Sequence, residues 1–138
     1  MAEAHPPFNV SLVTPEGAAF EGEAVLLIVP GAAGEIGVLA RHAPLVATLK
    51  AGSTRVHLQG GQVEEYATGP GFFTVEQGRA IALVDDAVQA KEIDVAASRE
   101  RLEAARAELD RLEPGADRWV LEQRVRHAEN LLEVAGRS

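Results

Sequence analysis

Four histidines, two pairs of adjacent acids and one glycine-rich run are the places where this 138-residue chain could do chemistry. A metal site needs imidazole or carboxylate ligands that converge, often at i, i+4 spacing on one helix. His5, His42, His57 and His127 are scattered and no two share such a spacing. An acid/base pair needs two carboxylates facing one another. Glu64 and Glu65 are neighbours in a strand-like run, where successive side chains point to opposite faces, so at least one is expected to be merely solvated. Asp85 and Asp86 follow the apolar run 80–84 and read as a turn. The run Gly31-Ala32-Ala33-Gly34-Glu35-Ile36-Gly37 has the glycines of a phosphate-cradling loop but lacks the Lys-Ser/Thr that would grip phosphate and metal. It reads instead as a tight connection between strands. There is no cysteine, and no serine stands in a nucleophile-elbow context. The expectation is therefore no catalytic residue, no metal and no cofactor.

Composition narrows the classes further. Apolar residues make up 46% of the chain, enough for a real core. A net charge of −8 excludes a binder of nucleic-acid phosphates, which requires a basic face, and an electrostatic membrane anchor. No stretch approaches the ~20 apolar residues of a membrane helix, so no direct insertion is expected. Met1-Ala2-Glu3-Ala4-His5-Pro6-Pro7 is neither basic nor followed by an apolar run, unlike a signal peptide, and lacks the Arg and Ser of a transit peptide.

Two kinds of element must position whatever the chain presents. Up to about Lys91, glycines and prolines punctuate short apolar runs at 8–13, 24–29, 36–39, 55–59, 62–67, 72–75 and 80–84, several alternating with the period of half-buried strands. Gly60-Gly61 reads as a two-residue hairpin turn. Closely spaced short strands suggest an all-β sandwich or barrel. Beyond Lys91 the period becomes helical. Val95, Ser98, Leu102, Ala105, Leu109 and Leu112 form one seam, with Asp94 as N-cap. Leu121, Val125, Ala128, Leu132 and Ala135 form a second, with Asp117 as its candidate cap. Pro114-Gly115 ends the first helix, and a four- or five-residue connection predicts an antiparallel αα-hairpin. Each arm would run roughly 27 Å, ~18 residues at ~1.5 Å each. The seams mix Leu and Val with Ala and Ser, so the hairpin's core is thin. It needs the head or a partner for stable order, either docked permanently or as a detachable arm.

Thr14-Pro15-Glu16-Gly17, Phe20-Glu21-Gly22-Glu23, Val29-Pro30-Gly31 through Gly34-Glu35-Ile36-Gly37-Val38-Leu39, His42-Ala43-Pro44-Leu45, Leu49-Lys50-Ala51-Gly52 and Gly69-Pro70-Gly71-Phe72-Phe73-Thr74-Val75 closely resemble the epsilon subunits of bacterial F-type ATP synthases, in order and as far as Glu92-Ile93-Asp94. The resemblance implies a ten-stranded β-sandwich head, residues 1–90, followed by an antiparallel two-helix arm, residues 91–138. It implies a non-catalytic rotor subunit of the central stalk, with the gamma subunit and the c-ring as partners, peripheral on the cytoplasmic face of the bacterial plasma membrane. It implies that a loop holding Glu35, Ile36, Gly37 and His42 faces the c-ring.

In that family the arm can also extend into the alpha/beta catalytic head and hinder ATP hydrolysis. Arg118, Arg124 and Arg126 would serve this, offset by Glu122, Glu129 and Glu133 among them. Some members bind ATP through Ile/Leu-Asp-x-x-Arg-Ala and arginines of the second helix. Here Ile93 and Asp94 match, but Ala97 and Ser98 replace the Arg-Ala, and His127 and Leu131 stand at the other arginine positions. Weak or absent ATP binding is expected, because the guanidinium forks are gone. The reading from a different class is a free-standing small-ligand-binding sandwich that dimerises through its helical hairpin.

Overall fold

The chain, in a computed structural model describing residues 5–137, is a ten-stranded β-sandwich followed by a helical hairpin. Met1 to Ala4, four of the seven residues of the leader reading, lie outside the described residues. Two compact units divide the chain, Met1–Gln89 and Ala90–Ser138.

The head's strands are β1 Phe8–Thr14, β2 Gly17–Ala24, β3 Leu26–Gly31, β4 Gly34–Val38, β5 Leu45–Leu49, β6 Gly52–His57, β7 Val63–Thr68, β8 Gly71–Glu76, β9 Arg79–Val84 and β10 Ala87–Gln89. They pair in the order β10-β7-β6-β3-β5-β8-β9-β1-β2, with β4 on the other side of β3. β3 and β5 meet at the single pair Gly31 and Leu49, so two five-stranded layers join at that corner. One core fills the space between them. Leu27, Val29, Val38, Val56 and Tyr66 from one layer meet Phe8, Val10, Leu12, Leu49, Phe73 and Val75 from the other. The period-2 burial of β1, with Phe8, Val10 and Leu12 inside, is what a strand with one covered face requires.

Three strands have no counterpart among the apolar runs, and each for its own reason. β2 is an edge strand of sequence GAAFEGEA that buries only Ala24; its partner is β1, and its residues are too small and polar to leave a pattern. β5 is five residues long with Val46 and Thr48 outward, and β10 is three residues. The run 24–29 divides into two strands. β2 ends at Ala24, β3 begins at Leu26, and the Val25 amide bonds to the His57 carbonyl at 2.8 Å as the chain crosses between layers. The Gly60-Gly61 turn is a three-residue connection rather than two. Leu58 N–H donates to the Gln62 carbonyl at 2.8 Å, and both glycines take positive φ, 93° and 90°.

Neither member of the Glu64-Glu65 pair is simply solvated. Tyr66 Oη donates to Glu64 at 2.8 Å, and Ser53 Oγ donates to Glu65 at 2.5 Å from the adjacent β6. Asp85-Asp86 forms the link from β9 to β10, held by Asp85 N–H to the Pro70 carbonyl and Gly69 N–H to the Asp86 carbonyl.

In the second unit, a 3₁₀ turn at Ala90–Glu92 precedes α1 Val95–Arg111 and α2 Trp119–Arg137. Asp94 caps α1, its carboxylate accepting the Ala97 amide at 2.9 Å. Asp117 sits one residue further from its helix than a cap would; it accepts the Trp119 amide at 2.9 Å, and the connection 112–118 is seven residues, longer than expected. Gly115, with φ of 89°, turns the chain there. α1 buries Ser98, Leu102 and Ala105 of its expected seam, whereas Leu109 and Leu112 are half-buried and Val95 is exposed. α2 buries Ala128, Leu131 and Val134, with Leu132 and Ala135 only half-buried. The expected seam fails in these last two turns because α2 meets the 3₁₀ turn as well as α1. A helix packed on two elements buries a wider stripe than a two-stranded seam. Arg106 and Glu129 bridge the two helices at 2.9 Å.

Candidate functional site

Pro30-Gly31-Ala32-Ala33-Gly34 makes a hairpin with a two-residue turn, and its tight closure explains its glycines. A Cβ on Gly31 would lie 2.6 Å from the Gly34 carbonyl oxygen and 2.8 Å from Ile36 Cδ1, and Gly34 has φ of 140°. Glu35, Ile36 and Gly37 therefore belong to strand β4 and not to a loop. The pleat then divides their roles. Ile36 pairs with Val29 and packs against the core, whereas Glu35 and Gly37 face outward.

Glu35 does not stand alone. Arg55 Nη2 on β6 lies 3.1 Å from both of its carboxylate oxygens. β6 is two strands away: Ile28 of β3 pairs with Gly37 on one side and with Arg55 on the other. The arginine stem thus crosses the outer face of β3 to reach the acid. Side-chain exposure is 27% for Arg55 and 58% for Glu35, so solvent screens the pair and its contribution to stability is at most ~1 kcal/mol. Sequence reading missed Arg55, because nothing in a strand's own pattern says which residue two strands away shares its face.

His42 lies in the turn after β4, where its amide bonds to the Leu39 carbonyl and Arg41 takes a left-handed φ of 66°. Its Nδ1 is 2.7 Å from the Ala43 carbonyl oxygen. No hydrogen bond joins His42 to Glu35 among the described residues. His57 on β6 has its Nε2 enclosed without a partner. No group of three His, Asp or Glu among the described residues could hold a metal ion, and no described helix is long and apolar enough to cross a membrane.

The largest exposed apolar side chains of the head gather on the outer face of β5, β8, β9 and β1. Thr48, Phe72, Leu83 and Val13 form one cross-strand row, and Val46, Thr74, Ile81 and Ser11 the next. Val46 is 78% exposed, Phe72 62% and Leu83 51%. A contiguous patch of this kind marks a docking surface more often than an accident of composition. One signal was present in the sequence: Phe72 and Phe73 are adjacent in a strand, so one of the two aromatic rings had to face away from the core. A groove beside the patch, lined by Pro44, Leu45, Val46, Thr74, Val75 and Glu76, carries one carboxylate and no cation.

On the arm, Arg118, Arg124 and Arg126 are exposed, and none forms an ion pair among the described residues. Trp119 and Val120 are also exposed, at 64% and 53%. Of the degenerate nucleotide motif, Asp94 is engaged as the cap, Ile93 and Ala97 are half-buried, and Ser98 is buried at 2%. Leu131 is buried at 4%, while His127 is exposed.

Residues 7–90 match the family model described as the ATP synthase delta/epsilon chain, β-sandwich domain. An ATP synthase epsilon chain of Dichelobacter nodosus is 34% identical over 125 residues, 91% of this chain and 85% of that one. One from Rubrobacter xylanophilus is 39% identical over 132 residues, 91% of this chain and 90% of the relative. Among solved structures, a chain of the Euglena gracilis mitochondrial ATP synthase OSCP/F1/c-ring assembly superposes with a TM-score of 0.69 at 25% identity, covering 99% of this chain and 80% of that one. A chain of the Tetrahymena thermophila mitochondrial ATP synthase central stalk and c-ring shares the fold, with a TM-score of 0.59 at 11% identity.

Proposed function

This chain belongs to the ATP synthase delta/epsilon chain family, and from that premise we propose that it is the epsilon-type rotor subunit of a bacterial enzyme, clamping gamma to the c-ring. It is a non-catalytic subunit. The observation that carries the reading is the apolar face of Val46, Phe72 and Leu83, which suits the buried centre of a permanent protein interface. Gamma is the partner assigned to this face, and the Glu35 end of the β3–β4 hairpin, with His42, is assigned to the polar loops of the c-ring. The reading puts the chain on the cytoplasmic face of the plasma membrane, held there through the complex. The deciding experiment is co-elution of the full-length chain with its cognate gamma, with a charge introduced into the apolar face as the discriminating variant.

The arm is assigned a restraining role on ATP hydrolysis through the alpha/beta head. Arg118 just before α2, and Arg124 and Arg126 on it, are exposed with no ion-pair partner among the described residues, and an exposed Trp119-Val120 step lies beside them; together they offer charge and apolar area to an acidic cleft. Replacing Arg118, Arg124 and Arg126 together with Ala is expected to raise the hydrolysis rate of the reconstituted complex about 2- to 5-fold, the scale of losing ~0.5–1 kcal/mol of exposed charge pairing. An unchanged rate would remove these arginines from the mechanism.

ATP regulation by direct binding is not assigned to this chain. No guanidinium stands at 97, 127 or 131, and two positions of the motif are packed inside the hairpin. Calorimetric titration with ATP at micromolar concentrations is expected to give no saturating heat; a clear isotherm there contradicts this.

A further inference from the structure

We infer that Arg55 is a positioning residue for the Glu35 contact: it fixes the carboxylate on the outer face of β4 before the partner arrives. The inference rests on the proposed c-ring role of Glu35 and adds to it a residue two strands away. Three observations carry it. A single nitrogen, Nη2, lies at 3.1 Å from both Oε1 and Oε2, so the fork is gripped from one side and the remaining lone pairs of each oxygen face outward. Glu35 keeps 58% of its side-chain exposure against 27% for Arg55, so the acid, and not the guanidinium, is the member of the pair a partner meets. The arginine stem runs over a paired strand, with Ile28 in register between Gly37 and Arg55; it rises from a sheet interior and not from a loop.

A free glutamate on an edge strand samples many rotamers, and a partner binding it must freeze them. Here the pair with Arg55 biases the carboxylate toward one of them in advance. The partner chemistry that fits is a cation or an unpaired N–H on a polar loop, approaching the oxygens from the side Arg55 leaves open. A partner carboxylate would be repelled by Glu35 and reach Arg55 only by breaking the pair. Arg55 thus holds the carboxylate in place without itself touching the partner.

The test is a double-mutant cycle on the affinity of the full-length chain, complexed with gamma, for its detergent-solubilised c-ring. Glu35→Gln, Arg55→Met and the double variant are compared, with Arg55→Lys as the conservative rescue. Methionine keeps the apolar stem over β3, and urea midpoints of the free variants separate misfolding from lost positioning. Should Arg55→Met fail to fold, Arg55→Gln completes the cycle. The expected result is about a 2- to 5-fold loss for the Arg55 variant, no further loss when it is added to Glu35→Gln, and recovery of most of the affinity in Arg55→Lys. Independent, multiplying losses overturn the inference while leaving the Glu35 contact standing, as does an Arg55 variant of unchanged affinity. An unchanged Glu35→Gln removes the contact itself, and the inference with it.

Discussion

Phe72→Glu is expected to weaken the complex with gamma by about 30-fold or more, the loss of ~2 kcal/mol typical of an aromatic at the centre of an interface. The side chain is 62% exposed in the free chain, so the same change leaves the head's own stability within ~0.5 kcal/mol. This separation of effects is the useful part: a residue that is spectator to folding and dominant in binding is defined by its partner. Leu83 pairs with Phe72 across the strands and is expected to behave alike when replaced with Lys. Val63 is also exposed, at 46%, but lies on β7 in the other layer; Val63→Glu should bind gamma normally. Sizing-column co-elution followed by titration reads all three. Normal binding by Phe72→Glu would take gamma off this face.

The second large effect is on the fold. Gly71→Ala is expected to destabilise the chain by about 3 kcal/mol, measured as a lowered urea midpoint. Gly71 opens β8 and pairs with Val84 at the end of β9. A Cβ there would run into the Leu83 carbonyl oxygen and sit 2.8 Å from Val84 Cα. Both obstacles are backbone, so no rotamer change relieves them and the two strands must separate. Gly37→Ala is the control, since a Cβ on that glycine meets nothing within 4 Å; it should shift stability by no more than ~0.5 kcal/mol. Equal losses at the two positions would mean that the close approach at Gly71 does not limit packing. With total stabilities of ~5–15 kcal/mol, the expected loss at Gly71 is a sizeable fraction of the whole.

The contrast between those glycines marks where sequence reading works. Period-2 burial at Phe8, Val10 and Leu12, and the Asp94 cap, follow from local rules, because the hydrogen-bond geometry and side-chain direction they depend on are set within a few residues. β2 escaped because an edge strand is held by backbone pairing with β1 and needs no apolar alternation. The last turns of α2 departed from the seam because a third element, the turn at Ala90–Glu92, shares the burial. For the candidate site the same division holds. Glu35 and His42 were named as proposed contacts from the motifs around them. Arg55 and the Phe72 patch were not, because each exists only through register between strands distant in sequence.

The parallel pairing of β1 with β9 sets an order of events during synthesis. Asn9 lies against Arg79 and Val13 against Leu83, so 79 − 9 = 70 residues separate each pair along the chain. As the polypeptide emerges, the β1–β2 hairpin is available early but has no neighbour on one side until β9 has been made. An unpaired strand edge in that interval is the stretch most exposed to wrong pairing, and contacts this remote close slowly. The two helices of the arm, by contrast, are joined by a connection of seven residues and follow the head out. Head closure waits for nearly its whole sequence; the pairing of the two arm helices waits only for the short connection between them.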